Sequence, residues 1–307
     1  MAKIHVFTGN ERSGKSTWAS MAAIRSAMHQ NKTLLLSLDS KKPLESIFQL
    51  NIGSKKKSLS RNLILSHFSC KKTHNHKEAI SLPKKIQIDT LFSKKGRIQD
   101  VPELFAFSPE SETLTILSLF NEAICMNEYD DIYIDFPSLL TYAKVRSLSF
   151  MLIKHLQAII QQKSILLNTL RKEQTSHQPL LKIEEMNLLL IKNLLIQYES
   201  LNSKLMDSHY VEMNLVTTKK ILNQQSLYFI KNIQSNTEIK IHNVCINRCS
   251  PDAIETSMIA NLFPESTVEV LNTYSRPIVG MERLSKFCQQ FYNYFRTETE
   301  TMKPAIS

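Results

Sequence analysis

The chain alternates short apolar runs with longer segments in which apolar residues recur at helical spacing. Residues 3–8 (KIHVFT) are rich in β-forming residues, and residues 18–29 (WASMAAIRSAMH) are rich in Ala and Met and favour a helix. Residues 33–38 (TLLLSL) are almost uniformly apolar, which is typical of a strand buried on both faces. Apolar residues alternate in 130–135 (DDIYID), which predicts another strand. Further strands are predicted at residues 210–216, 241–247 and 267–271. This order predicts an α/β fold with a mostly parallel central sheet flanked by helices.

A Leu- and Ile-rich region from residue 148 to 206 has helical spacing, interrupted at residues 175–179 (TSHQP). It predicts a helical hairpin subdomain inserted into an α/β domain that residues 1–147 and 207–307 form. The apolar face of the hairpin either packs on the core or a twin subunit, or forms a groove for a hydrophobic partner. A last helix is predicted at residues 281–295, where a Leu/Phe stripe is typical of core packing and, less often, of a membrane-surface helix.

Composition places the chain among folded proteins of a reducing compartment. It has 307 residues, of which 42% are apolar and 21% charged, so it can bury a sizeable core. Five cysteines do not make a disulfide scaffold of a chain this long. No apolar run approaches the roughly 18 residues of a membrane span, and the first residues lack the apolar centre of a signal peptide. We therefore expect a cytoplasmic protein.

The net charge of +10 is concentrated in one segment. Residues 51–97 hold ten Lys and two Arg against one Glu and one Asp, so this basic segment carries the whole excess. Such a run is either a solvated face or a surface for an acidic partner such as nucleic acid or anionic lipid. Within it, four side chains in ten residues are possible zinc ligands, although no recognised spacing fits and the nearby lysines disfavour a cation. They are His67, Cys70, His74 and His76.

The strongest motif lies between the first predicted strand and helix. Residues 9–16 (GNERSGKS) fit G-x-x-x-x-G-K-[ST], and a strand before it and a helix after it are the context that this motif needs. Glycines let backbone N–H groups surround phosphate oxygens, and the helix N-terminus adds its positive dipole end. Lys15 then reaches the β- and γ-phosphates, the Ser16 hydroxyl binds Mg²⁺, and Thr17 contacts the α-phosphate. The predicted nucleotide-binding residues are Gly9, Asn10, Glu11, Arg12, Ser13, Gly14, Lys15, Ser16 and Thr17.

Two carboxylates follow predicted strands at the edge where this motif lies. Asp39 comes directly after the strand at 33–38, and Asp135 ends the strand at 130–135. In an open α/β sheet, ligands bind at the carboxyl ends of the strands. Asp39 is therefore expected to face the phosphates, and Asp135 to hold Mg²⁺ directly or through water. The alternatives are a helix cap or turn residue for Asp39, and a solvated strand end for Asp135.

The first 48 residues resemble the start of the ArsA-type ATPases, which include the arsenite-pump ATPase and the guided-entry ATPase that delivers tail-anchored membrane proteins. Residues 37–39 (SLD) match the family's S-T-D motif, so the resemblance implies that Asp39 positions the attacking water. Residues 128–135 match its "eyDvvvfD" strand, and residues 242–248 match the strand whose Asn, here Asn247, recognises adenine. Residues 277–284 (PIVGMERL) resemble its C-terminal "evrGlerL" segment. The resemblance implies a Mg²⁺-dependent ATPase with catalytic Lys15 and Asp39, a homodimer, and a membrane-protein client or membrane complex.

The chain departs from the family at three places. The family's phosphate loop, G-K-G-G-V-G-K-T, has a Lys where this chain has Asn10, and glycines where it has Glu11 and Arg12. The switch II motif is reduced to residues 135–138 (DFPS), and the zinc-binding C-x-x-C is absent. These losses leave two alternatives to an ATPase that acts on a client. One is a nucleotide-binding switch or scaffold with little hydrolysis, and the other is a ParA/MinD-like positioning ATPase that uses the basic segment.

Overall fold

The computed structural model describes most of the chain in nine segments and one further residue. They are residues 2–39, 42–53, 56–67, 111–172, 178–207, 209–220, 224–249, 262–272 and 277–289, and residue 259. The strands in these segments are β1 (Lys3–Gly9), β2 (Thr33–Ser37), β3 (Lys57–Ser58), β4 (Leu63–His67), β5 (Asp131–Asp135), β6 (Val211–Thr218), β7 (Asn243–Asn247) and β8 (Thr267–Leu271). The helices are α1 (Lys15–Met28), α2 (Pro43–Phe48), α3 (Ser111–Cys125), α4 (Leu139–Lys172), α5 (Gln178–Met206), α6 (Gln224–Thr237) and α7 (281–289).

The eight strands form one sheet in the order β3-β4-β2-β5-β1-β6-β7-β8. All neighbours are parallel except β3, which pairs antiparallel with β4. Because parallel strands end at the same edge, β1, β2 and β5 bring their carboxyl ends together: Asp135 pairs in register with Phe7 of β1 and with Ser37 of β2. The predicted α/β class with a mostly parallel sheet is confirmed, whereas the sequence did not indicate the antiparallel edge strand β3.

Apolar side chains project from both faces of the sheet, as expected for strands that are covered by helices on each side. Leu34 and Leu36 of β2 belong to one buried cluster, and Leu35 between them belongs to the other. The first cluster also contains residues of α3, α4 and α6, and the second contains residues of α1, α2 and α7. In α7, Leu284 and Phe287 are buried, which supports core packing for the described part of the predicted C-terminal stripe.

Helices α4 and α5 pack against each other over much of their length. Side-chain pairs such as Lys163–Glu184 and Arg171–Glu185 join them, and the pairing is antiparallel. Helix α4 begins at Leu139, nine residues before the predicted start of the helical subdomain, and its first turns lie in the sheet's core cluster. The division of the chain into an α/β domain and a helical subdomain stays a prediction. Among the described helices, none is long and apolar enough to cross a bilayer.

Candidate functional site

The loop of residues 9–16 joins β1 to α1 and is shaped by two glycines. A Cβ atom on Gly9 would lie 2.0 Å from the carbonyl oxygen of Val216 in β6, and one on Gly14 would lie 2.1 Å from Nδ2 of Asn247. Gly14, at the start of α1, also has φ +91°, a left-handed conformation that other residues rarely adopt. At Gly9 the backbone of β6 therefore leaves no room for a side chain, whereas Gly14 is required by its backbone conformation, and a Cβ there would displace the side-chain amide of Asn247.

Asn247 supports this loop from the end of β7. Its Nδ2 donates a hydrogen bond of 2.9 Å to the carbonyl oxygen of Ser13, and its Oδ1 accepts one from the backbone N–H of Arg248. The residue is 9% exposed. Its predicted part in adenine recognition stays a prediction, but its contact with the loop gives it a structural role that the sequence did not indicate.

Lys15 and Asp39 meet at the carboxyl edge of the sheet, and their predicted roles toward the phosphates stay predictions. The Lys15 Nζ lies 3.2 Å from Oδ2 of Asp39, and the side chains are only 8% and 15% exposed. Two backbone hydrogen bonds hold this edge together, since Leu38 N donates to Asp135 O and Phe136 N donates to Phe7 O. The position of Asp39 is thus set by β2 and β5.

Asp135 is the most deeply buried acid of the site, with no exposed surface. The Ser37 hydroxyl donates a 3.0 Å hydrogen bond to its Oδ2, whereas its Oδ1 has no hydrogen-bond partner among the described residues. Burial raises the pKa of the Asp135 carboxyl to about 6, although Lys15 and the hydroxyls of Ser16 and Ser37 act in the opposite direction. A buried carboxylate oxygen without a partner, next to the Ser16 hydroxyl, is a donor set that fits Mg²⁺ and its bound water.

The remaining predicted residues divide by exposure. Ser13 and Ser16 are buried, Thr17 is half-buried, and the three loop residues that depart from the family pattern are exposed. These three are Asn10, Glu11 and Arg12. The loop thus presents its unusual side chains to solvent.

Comparison with known protein families identifies the family of the chain. The chain matches the family described as anion-transporting ATPase, ArsA type, over residues 2–293. The chain belongs to the ArsA-type ATPases. No curated protein matches the sequence of the chain. The match extends from β1 to beyond α7, so nearly all of this ArsA-type protein belongs to the P-loop ATPase family.

The zinc interpretation lies almost wholly outside the described residues, which include only His67 of the four candidate ligands. His67 is 4% exposed, burial lowers its pKa, and neither ring nitrogen has a hydrogen-bond partner among the residues that the structure describes. Within the described segments no three His, Cys, Asp or Glu side chains are placed to hold a metal. Of the basic segment, Lys56 is described and is bonded to Glu128 and Tyr129, so this lysine is part of the fold and not a free surface charge.

Sequence analysis missed a polar cavity at the opposite edge of the sheet. It has a volume of about 410 Å³ and lies between α1 and the amino ends of five strands. His5 of β1 stacks on Tyr133, with ring centroids 4.5 Å apart, and lies between Asp131 at 3.6 Å and Glu212 at 3.4 Å. The sequence shows polar residues at alternate positions 3 and 5 of β1. Their partners lie on strands more than 120 residues later, so the sequence did not indicate which residues they meet.

Proposed function

We propose that this ArsA-type protein is a cytoplasmic, Mg²⁺-dependent ATPase that couples its nucleotide state to a partner. One observation carries the proposal: the ammonium of Lys15 and the carboxylates of Asp39 and Asp135 converge at the carboxyl ends of three adjacent strands, beside a glycine-shaped phosphate loop. An ammonium for phosphate, a carboxylate for water and a buried carboxylate for a cation are the groups that phosphoryl transfer to water requires.

The roles follow from the chemistry of each group. The loop backbone and Lys15 bind the phosphates, because N–H groups and an ammonium donate hydrogen bonds to anionic oxygens. Ser16 and Asp135 would hold Mg²⁺, which neutralises charge on the outer phosphates when it is bound. When Lys15 leaves the carboxylate of Asp39 to bind a phosphate oxygen, Asp39 is free to orient the attacking water. Asn247 keeps Gly14 and Ser13 in place and is proposed to contact adenine.

The partner surface is proposed on the α4–α5 hairpin. Six large apolar side chains of this hairpin are at least 44% exposed. Apolar side chains exposed in such number are typical of a surface that binds a partner. These six are Ile165, Leu166, Ile183, Met186, Leu189 and Ile196. A second copy of the chain or an apolar client helix would bury them.

A nucleotide-binding switch with little hydrolysis is the second candidate. It is favoured by exposed Asn10, which has no charge at the position where the family resemblance implies a lysine. In that case ATP would bind and persist, and its release would be controlled by a partner.

Two measurements on purified protein separate these functions. ATP binding is titrated with a fluorescent analogue in Mg²⁺, and hydrolysis is followed in a single turnover with protein in excess. We expect binding and measurable turnover in the wild type, loss of both in Lys15→Ala, and neither loss in Lys192→Ala, which removes an exposed lysine of α5. Binding without turnover would establish the switch, and equal ATP affinity in Lys15→Ala would refute the nucleotide site.

A further inference from the structure

Arg12 has a left-handed backbone conformation, with φ +61°, inside the phosphate loop. For a residue with a Cβ atom this conformation is unfavourable, because the Cβ atom comes too close to the following carbonyl oxygen. Five other non-glycine residues in the described segments have positive φ, and four of them adjoin a helix end, where such a residue commonly terminates or starts a helix. They are Gln30, Lys42, Gln49 and Glu238. Arg12 is two residues before Gly14, the N-cap of α1, so helix capping does not explain its strain.

The described residues also provide no partner for the guanidinium of Arg12. The residue is exposed, and none of the described residues gives its side chain a hydrogen bond or an ion pair. By contrast, Lys15 on the same loop is buried and paired with Asp39. The loop thus holds one buried cation that is paired, and a second, exposed one for which the described residues provide no partner. Strained residues that persist at a ligand-binding loop indicate a function that offsets their cost.

We propose that the side chain of Arg12 binds the terminal phosphate of the ATP held by its own loop, and so makes the protein prefer ATP to ADP. The inference rests on the proposed nucleotide site and adds the group that recognises its third phosphate. A guanidinium presents a planar fork of N–H donors that matches phosphate oxygens in pairs, which an ammonium cannot do. During hydrolysis the same charge would stabilise the negative charge that develops on the equatorial oxygens of the transferred group.

The decisive variant is Arg12→Gly, because glycine adopts φ +61° without strain while it removes the charge. If Arg12 had no role beyond the protein surface, Arg12→Gly should be more stable than the wild type and otherwise unchanged. The proposal predicts opposite effects on two properties. Without nucleotide, the thermal midpoint should equal or exceed that of the wild type. In Mg²⁺, the Kd for ATP should rise about tenfold or more, since a charge-assisted hydrogen bond is lost, while the Kd for ADP changes less than about threefold.

Arg248→Gly is the matched control. Arg248 is also an exposed arginine with positive φ, +56°, but it follows β7 and lies outside the phosphate loop. Its replacement relieves the same kind of strain and removes the same charge, while the backbone N–H that bonds Asn247 is kept. Any effect that passes through Asn247 would act on ATP and ADP alike, so the ratio of the two Kd values should be unchanged. Arg12→Lys keeps the charge without the fork, and its ratio should lie between those of wild type and Arg12→Gly.

The outcomes are distinguishable from failure of the nucleotide site itself. If the wild type binds neither ATP nor ADP, the proposed function fails. If the wild type binds both and Arg12→Gly has the wild-type Kd ratio, the role of Arg12 is refuted and the nucleotide site stands. An equal loss of ATP preference in Arg248→Gly would also refute it, since general charge would then explain the effect.

Discussion

The ammonium of Lys15 lies 3.2 Å from Oδ2 of Asp39, so the lysine of the phosphate loop is already paired with an acid from the end of β2. A phosphate that binds to Lys15 must compete with this carboxylate. The pair therefore links ATP binding to movement of the residue that is proposed to orient water.

Asp39→Asn tests this link. The amide cannot form the ion pair, so Lys15 is freed for phosphate and the affinity for ATP should be equal to or above that of the wild type. Turnover should fall by about 10²-fold or more, because an amide neither accepts a proton nor orients water as a carboxylate does. Titration and single-turnover hydrolysis measure the two effects. Weaker binding with unchanged turnover would make Asp39 a structural residue only.

Asp135→Asn should stabilise the protein while it impairs the site. Burial raises the pKa of Asp135 to about 6, above the ordinary value of 3.8, so the folded state retains this proton to higher pH than the unfolded state does. Folding stability is therefore lost as the pH rises from about 4 to about 6, and the ionised group costs up to about 3 kcal/mol at neutral pH. The amide avoids that cost. Urea unfolding at pH 7.5 should show a more stable variant, and the gain should largely disappear at pH 4.

The same variant should have lost most of the Mg²⁺-dependent increase in ATP affinity, because an amide is a poorer ligand for the cation than a carboxylate. A variant that is less stable at pH 7.5 than the wild type would show that the attraction of the carboxylate to Lys15, together with its hydrogen bonds, outweighs the burial of the charge.

His5 should stabilise the fold more in mild acid than in mild base. Burial lowers its pKa, but the hydrogen bonds and charges of Asp131 and Glu212 outweigh burial and leave the pKa above its ordinary value of 6.5. The same contacts lower the pKa of Asp131 to about 2. A raised histidine pKa gives stability that is present below pH 6.5 and is lost as the pH rises through the folded-state value. The difference in unfolding free energy between wild type and His5→Gln should therefore be larger at pH 6 than at pH 8.5.

His155→Gln is the control with the opposite sign. Burial lowers the pKa of His155 in α4, so the wild type should lose stability relative to this variant as the pH falls. Parallel pH dependence in the two variants would contradict the assignment of the effect to the carboxylates around His5.

Gly14→Ala should disable the phosphate loop more than its backbone strain explains. The new Cβ would lie 2.1 Å from Nδ2 of Asn247, in addition to the cost of φ +91°. Gly53 also has positive φ, +64°, but a Cβ there meets only an oxygen of Asn51 at 3.9 Å. Gly53→Ala should thus cost only about 1 kcal/mol of strain, whereas Gly14→Ala should cost more and lose ATP binding. Equal stability and equal ATP affinity in the two variants would be the contrary result.

The basic segment, residues 51–97, is either a solvated face or a surface that binds a polyanion through charge, and the second alternative makes a specific prediction. Lys71→Gln/Lys72→Gln, in residues outside those described, should weaken retention on heparin and flatten the salt dependence, while ATP affinity stays constant. Lys182→Gln/Lys192→Gln removes two exposed lysines from α5 and should have little effect on retention. Lys56 is left intact, because its bonds to Glu128 and Tyr129 belong to the fold. No retention of the wild type at low salt would assign the segment to solvation.

The parts of the site that follow from local sequence were predictable. A strand, a glycine-containing loop and a helix in succession predict where Lys15 lies, and the rule that parallel strands end at one edge predicts that Asp39 and Asp135 approach it. The buried hydrogen bond between Ser37 and Asp135 was not predictable, because it depends on β2 lying next to β5, an order that the sequence does not state.

Other contacts required the three-dimensional register. Asn247 lies against Gly14 because β7 ends level with the loop, although the two residues are far apart in the sequence. The side-chain amide of Asn247 donates its hydrogen bond to the carbonyl oxygen of the neighbouring Ser13. His5 meets Asp131 and Glu212 for the same reason, since β1 lies between β5 and β6. Periodicity predicts which face of a strand is buried, but not which distant strand lies beside it.

The central position of β1 has a consequence for how the protein is made. Its two neighbours in the sheet, β5 and β6, begin at Asp131 and Val211, so neither is available when β1 leaves the ribosome. At about 5–20 residues per second, synthesis reaches β6 on the order of 10–40 s later. During that interval Ile4 and Val6, which are almost fully buried in the folded protein, have no sheet to join. The nascent chain should therefore depend on chaperones that shield apolar segments, and the phosphate loop, although translated early, should become able to bind ATP only after β6 has been synthesised.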